Sequence, residues 1–157
     1  MLFLHTLRRF ANKIQLESTP ERKRTMNEII RITDETPAYC SMVAETREEK
    51  ALLYNATQNA DKKISDFINQ KIRFINVFME QVEIDDEETG ETHKGVRTIL
   101  ITPEGEGIAA TSNGIVRSLY SLFQVFGTPD TWEGEVMECI VRQVETKKGR
   151  TFKLEVC

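Results

Sequence analysis

The side chains of this sequence that could do chemistry are mostly cations and aromatic rings. Arg73, Arg97, Arg142, Lys147, Lys148 and Arg150 sit on segments that read as strands or tight turns, and Lys94 ends an acidic stretch. A row of such cations would meet the phosphates of a nucleic-acid backbone. A ring such as Phe78 or Tyr54 would stack on a base, because every base offers a π-face. Each residue also has an ordinary reading. Phe74, Phe78 and Phe152 are of a type more often found in a core, and Lys147-Lys148 is by default a solvated hairpin tip.

Catalytic chemistry finds little support. Gly105, Gly107 and Gly114 lack the GK[ST] ending of a phosphate loop, and neither GxSxG nor HExxH occurs. His93 lies in a polar stretch, where a single histidine is usually solvated. Asp85-Asp86-Glu87-Glu88 fails the calcium-loop spacing, and adjacent acids point in different directions. Cys40 and Cys139 read as small core hydrophobes and Cys157 as an exposed thiol. Neither an enzyme nor a metal or other cofactor is expected.

Composition narrows the class. The 157 residues are 39% hydrophobic and 29% charged, with 8 Gly, 4 Pro and 3 Cys. Collagen-like, mucin-like and disulfide-scaffold chains are excluded. No apolar run approaches the ~18 residues of a membrane span, so no membrane role is expected. Three irregularly spaced cysteines suit a reducing, cytoplasmic setting. The net charge of −4 is uneven: residues 1–25 hold six basic and two acidic side chains, leaving 15 basic against 23 acidic, or −8, beyond them. Any nucleic-acid site is then a local basic strip on an acidic body.

The first 25 residues stand apart. Leu4, Leu7, Phe10, Ala11 and Ile14 have helical spacing beside Arg8, Arg9 and Lys13, which would suit an amphipathic helix on a membrane or partner. The plainer reading is a translated leader. Glu21-Arg22-Lys23-Arg24 can be encoded wholly in purines, like a ribosome-binding site, and Met26 follows closely. Residues 1–25 are therefore expected to be disordered or mis-assigned, with a single domain over 26–157.

Strands must position the cations. Glu28–Thr33 and Ala38–Glu45 read as short strands around a turn at Asp34–Pro37. Thr46 with Glu49 forms a capping box that opens a helix to about Ala56. Asn59–Lys63 reads as loop and Ser65–Ile68 as one helical turn. Ile72–Ile84 is too long for a flat strand and predicts a bent one shared by two sheets. Asp85–Gly95 reads as an acidic hairpin loop, Val96–Thr102 and Gly107–Thr111 as strands. Ser112 then caps a helix burying Ile115, Val116, Leu119, Leu122, Phe123 and Phe126, stopped by Gly127 and Pro129. Glu135–Glu145 and Arg150–Val156 close the chain as strands around Thr146–Gly149.

That order predicts a mainly β fold: a five-stranded Greek-key OB barrel over 71–156, a helix between its third and fourth strands, and a strand/helix extension over 26–70. OB folds bind across strands 2 and 3, with the 1–2 and 4–5 loops as jaws. Here the jaws would be Asp85–Gly95, with His93-Lys94, and Glu145–Gly149, with Lys147-Lys148 beside Arg150.

Four stretches carry a further resemblance: LLYNATQNADKKISDFINQKI, EETGE, RTILITPEGEGIAATSNGIVRSLYSLFQVFGTPDTW and GRTFKLEV. Over about Met26–Val156 the chain resembles the single-stranded DNA-binding proteins of phages and prophages of Gram-positive bacteria. The resemblance implies an OB-fold protein that coats DNA during phage replication or recombination, in the host cytoplasm and without a cofactor. Of the matching positions Asn55, Thr89-Gly90, Arg97, Ser112, Gly127 and Trp132, most read as turns, caps and packing. Arg97 is the one also expected at a phosphate. The sequence ends at Val156-Cys157 without the acidic tail of cellular single-strand binders, so recruitment of replication or recombination proteins does not follow from it.

Two functions are carried forward. The first is a non-enzymatic, largely sequence-independent binder of single-stranded DNA. The second is an acidic OB module that docks on a replication, recombination or host-defence protein. Homo-oligomerisation through a strand edge stays open in both.

Overall fold

The computed structural model describes residues 31–157; the leader expected at 1–25, and most of the strand expected at Glu28–Thr33, lie outside them. Residues 31–33 are irregular. The elements are β1 (Ala38–Cys40), α1 (Arg47–Gln58), β2 (Lys62–Lys63), a 3-10 turn (Ile64–Phe67), β3 (Lys71–Phe74), β4 (Asn76–Asp85), β5 (Thr92–Ile101), β6 (Gly107–Ala110), α2 (Asn113–Phe126), a 3-10 turn (Pro129–Thr131), β7 (Met137–Thr146) and β8 (Gly149–Val156). They form a mainly β fold of two sheets, ordered β1-β4-β5-β6-β2 and β3-β7-β8.

The long apolar run bends as its length and patterning predict. It breaks at Ile75, whose N–H donates to the Ile101 carbonyl at 2.9 Å. β3 goes to one sheet and β4 to the other. In β5 both parities are apolar because both faces are covered. Leu100 joins Val77, Met79 and Ile108 in the main core, which also receives Phe74, Ile115, Leu119 and Trp132. Ile99 and Ile101 pack with Leu53 and Ala56 beneath α1. Burying each such large side chain is worth about 1.5–3 kcal/mol.

Several boundaries differ from expectation, each for a local reason. The strand at Ala38–Glu45 stops at Cys40, because the Ser41 hydroxyl accepts the Val77 N–H at 2.9 Å in place of a ladder carbonyl. Lys62–Lys63, read as loop, pairs in parallel with Ile108 and Ala109. The acidic loop expected at Asp85–Gly95 shrinks to 86–91. Thr92, His93 and Lys94 pair with Asp85, Ile84 and Glu83 as a two-stranded ribbon, and the Thr92 hydroxyl donates to Asp85 at 2.8 Å. That ribbon is polar because it stands in solvent, and polarity alone reads as loop. α1 begins at its Thr46 cap as expected, with the Glu49 N–H donating to the Thr46 hydroxyl at 3.1 Å.

The Ser112 hydroxyl does not cap α2. It bonds the Thr151 hydroxyl at 2.8 Å and accepts the Phe152 N–H at 3.3 Å, while the Ser118 hydroxyl accepts the Leu154 N–H at 3.1 Å. Two N–H groups on the outer edge of β8 are thus satisfied by a helix rather than a strand. β2 occupies the outer edge of β6. The two sheets meet at this side across an opening, with α2 spanning one end.

Candidate nucleic-acid interface

That opening is a cleft of about 870 Å³. Ala109–Thr111 run along it, the β7–β8 hairpin from Thr146 to Phe152 forms one wall, and Lys63–Ser65 with Arg97 forms the other. Asn113, Gly114 and Arg117 bring the first turn of α2 to its end. Lys63, Arg97, Arg117, Lys147, Lys148 and Arg150 line it, and no Asp or Glu does. These are six of the fifteen Lys and Arg residues described.

The elements explain why the cations converge. Thr146 and Gly149 are partnered at the end of the β7–β8 ladder, so Lys147 and Lys148 form a two-residue tip. Gly149 has φ +126°, a conformation L side chains rarely adopt. The Thr146 hydroxyl donates to the Gly149 carbonyl at 2.7 Å and tightens the tip. Gly114 lets α2 approach the hairpin, since a Cβ there would overlap the Phe152 carbonyl oxygen. Its N–H donates to the Thr151 hydroxyl at 3.1 Å.

Most of the cleft's cations are free of carboxylate partners. Among the described residues, Lys63, Arg117, Lys147 and Lys148 have no carboxylate within ion-pair distance, and Arg150 is only 3.9 Å from Glu145. Of the nine other described cations, five have carboxylate partners. Lys62 pairs with Glu106, Lys71 and Arg73 with Glu138, Lys94 with Asp34, and Arg142 with Glu155. Arg97 is paired, with Glu80 at 3.1 Å; the clustered like charge of the others, facing one concavity, favours a polyanion.

Of the nine residues expected at the interface, the fold brings Arg97, Lys147, Lys148 and Arg150 together. Arg73 and Arg142 lie on the β3-β7-β8 sheet against Glu138 and Glu155. Lys94 lies on β5, 2.7 Å from Asp34. Phe78 is half-buried against the cluster beneath α1. Tyr54 stands 54% exposed on α1. None of these five lines the cleft. Phe152 does, half-buried, as its only aromatic ring among the described residues; Phe74 is sealed in the core.

Lys63 and Arg117 were missed. Lys63 was hidden in a polar stretch whose pairing with β6 is long-range. Arg117 did carry a signal, being the one charged side chain in α2.

Two of the three thiols are held unreactive: burial pushes Cys40 up to about 11, and burial followed by the neighbouring Cys157 pushes Cys139 up to about 12. No helix among the described residues is long and apolar enough to cross a membrane.

No curated protein and no solved structure matches this chain. A family model does, over residues 33–156, which takes in every strand and helix described above. The chain belongs to the family described as Phage Single-stranded DNA-binding protein.

Proposed function

We propose that this chain binds single-stranded DNA without catalysing a reaction on it, and that the strand's backbone lies in the cleft between β6 and the β7–β8 hairpin. The observation that carries the reading is that, among the described residues, six cations and no acid surround one opening on a chain of net charge −4. Arg97, Arg117, Lys63, Lys147, Lys148 and Arg150 meet phosphates, and the half-buried Phe152 ring offers a face to a base. Contacts to phosphate and ring faces carry little sequence information, so binding is largely sequence-independent. Residues 71–156 carry most of the site, and 31–70 add Lys63 from β2 and buttress it through β1 and α1. The protein coats strand exposed during phage replication or recombination in the host cytoplasm.

The test is fluorescence anisotropy with labelled oligo-dT, duplex DNA and RNA across a salt series. If all six cations meet phosphates, the log–log slope for the single strand is about −4, from roughly 0.7 per contact. Duplex binding is expected to be much weaker. A folded, monodisperse sample that fails to bind oligo-dT at low salt overturns the reading.

A further inference from the structure

Arg97 differs from the other five cations of the cleft. Its guanidinium donates to Glu80 Oε1 at 3.1 Å and to the Thr57 carbonyl in the last turn of α1. Its side chain is 25% exposed. Glu80 is its direct cross-strand partner on β4. The α1 carbonyl adds the partial negative charge of a helix C-terminus. Arginine has five N–H donors in a rigid fork, so two acceptors hold the group and leave further donors. Lys147 and Lys148, at a two-residue tip without counter-ions, have no comparable restraint.

We propose that Glu80 is a positioning residue for strand binding: it holds Arg97 in place on the cleft wall so that the free edge of the guanidinium meets a phosphate. The inference rests on the strand-binding reading above and adds a role that charge alone would forbid. A carboxylate beside a cation weakens the pull on an anion. On electrostatics alone, removing Glu80 tightens DNA binding. If Glu80 acts by fixing Arg97, removing it loosens binding although the site becomes more positive. The two accounts differ in sign.

The experiment is a double-mutant cycle on the full chain, read by anisotropy of labelled oligo-dT, with melting curves to verify folding. Glu80→Gln keeps shape and removes charge. Arg97→Gln keeps an N–H for the Thr57 carbonyl and removes the phosphate contact. Glu80→Gln is expected to weaken binding about threefold to fivefold, the worth of a partly exposed ion pair. Its effect should vanish in the Arg97→Gln background, because Glu80 then has nothing to position. Both outcomes support the proposal. A Glu80→Gln protein that binds equally or more tightly overturns it, as does a loss that persists without Arg97. A wild-type chain that fails to bind oligo-dT overturns the strand-binding reading itself. A wild type that binds while Glu80→Gln is unimpaired overturns only this inference.

Discussion

The β4–β5 and β7–β8 hairpins have the same construction and opposite chemistry. Each is a long antiparallel ribbon reaching past the core into solvent. The first ends in Asp85, Asp86, Glu87, Glu88 and Glu91, turned by the Asp86 carboxylate, which accepts the Glu88 N–H at 2.9 Å and the Thr89 N–H at 3.3 Å. The second ends in Lys147 and Lys148. The second lines the cleft, because α2 is fastened to β8 by Ser112, Ser118 and Thr151 and turns Arg117 toward the same opening. A charged tip becomes a candidate site when other elements converge on it.

Reversing the two tips gives the largest expected contrast. Lys147→Glu with Lys148→Glu should weaken oligo-dT binding by at least about a hundredfold at low salt. Glu87→Lys with Glu88→Lys should stay within about threefold or tighten binding. Equal losses in anisotropy titrations would erase the distinction between the hairpins.

The roots of the hairpins come next. Gly114→Ala places a Cβ on the Phe152 carbonyl oxygen, which is backbone and cannot swing aside. It should cost about 3 kcal/mol in urea unfolding. At Gly95 the new Cβ meets only the end of the Ile84 side chain. Gly95→Ala, relieved by a rotamer change, should cost about 1 kcal/mol or less. Ser118→Ala leaves the Leu154 N–H without its helix partner, at about 1–2 kcal/mol.

Thiol labelling compares the sheets themselves. At pH 8 only Cys157 should react fast, since it is exposed. Cys40, on β1 of the five-stranded sheet, and Cys139, on β7 of the other, have values raised to about 11 and 12. Fast labelling of one of them would mark its sheet as the one that opens first.

The smallest effect concerns acid. Glu88 and Thr89 backbone N–H groups hold the Asp86 carboxyl below its usual 3.8. A lowered value means the loop's order is present above the ordinary range and is lost as pH falls through the lowered one. The Thr89 amide shift followed by NMR should therefore titrate with a midpoint below 3.8.

Much of the fold was legible because periodicity reports burial directly. The bent strand at Ile72–Ile84, the α2 stripe and the Thr46 cap each follow from neighbouring residues. The strand content of Thr92–Lys94 and Lys62–Lys63 was not, because solvated ribbons and edge strands carry no apolar signature. The site was half legible. Lys147-Lys148 and Arg150 are adjacent in sequence, and Arg97 followed from strand order and resemblance. Arg73 and Arg142 look identical to them in sequence, but they lie outside the cleft and against Glu138 and Glu155.

The sequence by itself determined most of the strands and both helices, where the long strand bends, and that a net negative chain keeps a few basic clusters. Those are local properties, set by propensity, spacing and composition. Which cations stay unpaired, and which share an opening, was decided by the tertiary structure alone. Ion pairing and convergence depend on ångström-scale distances between residues far apart in the chain: Lys63 and Lys148 line one cleft 85 positions apart, and no pattern along the chain encodes that separation.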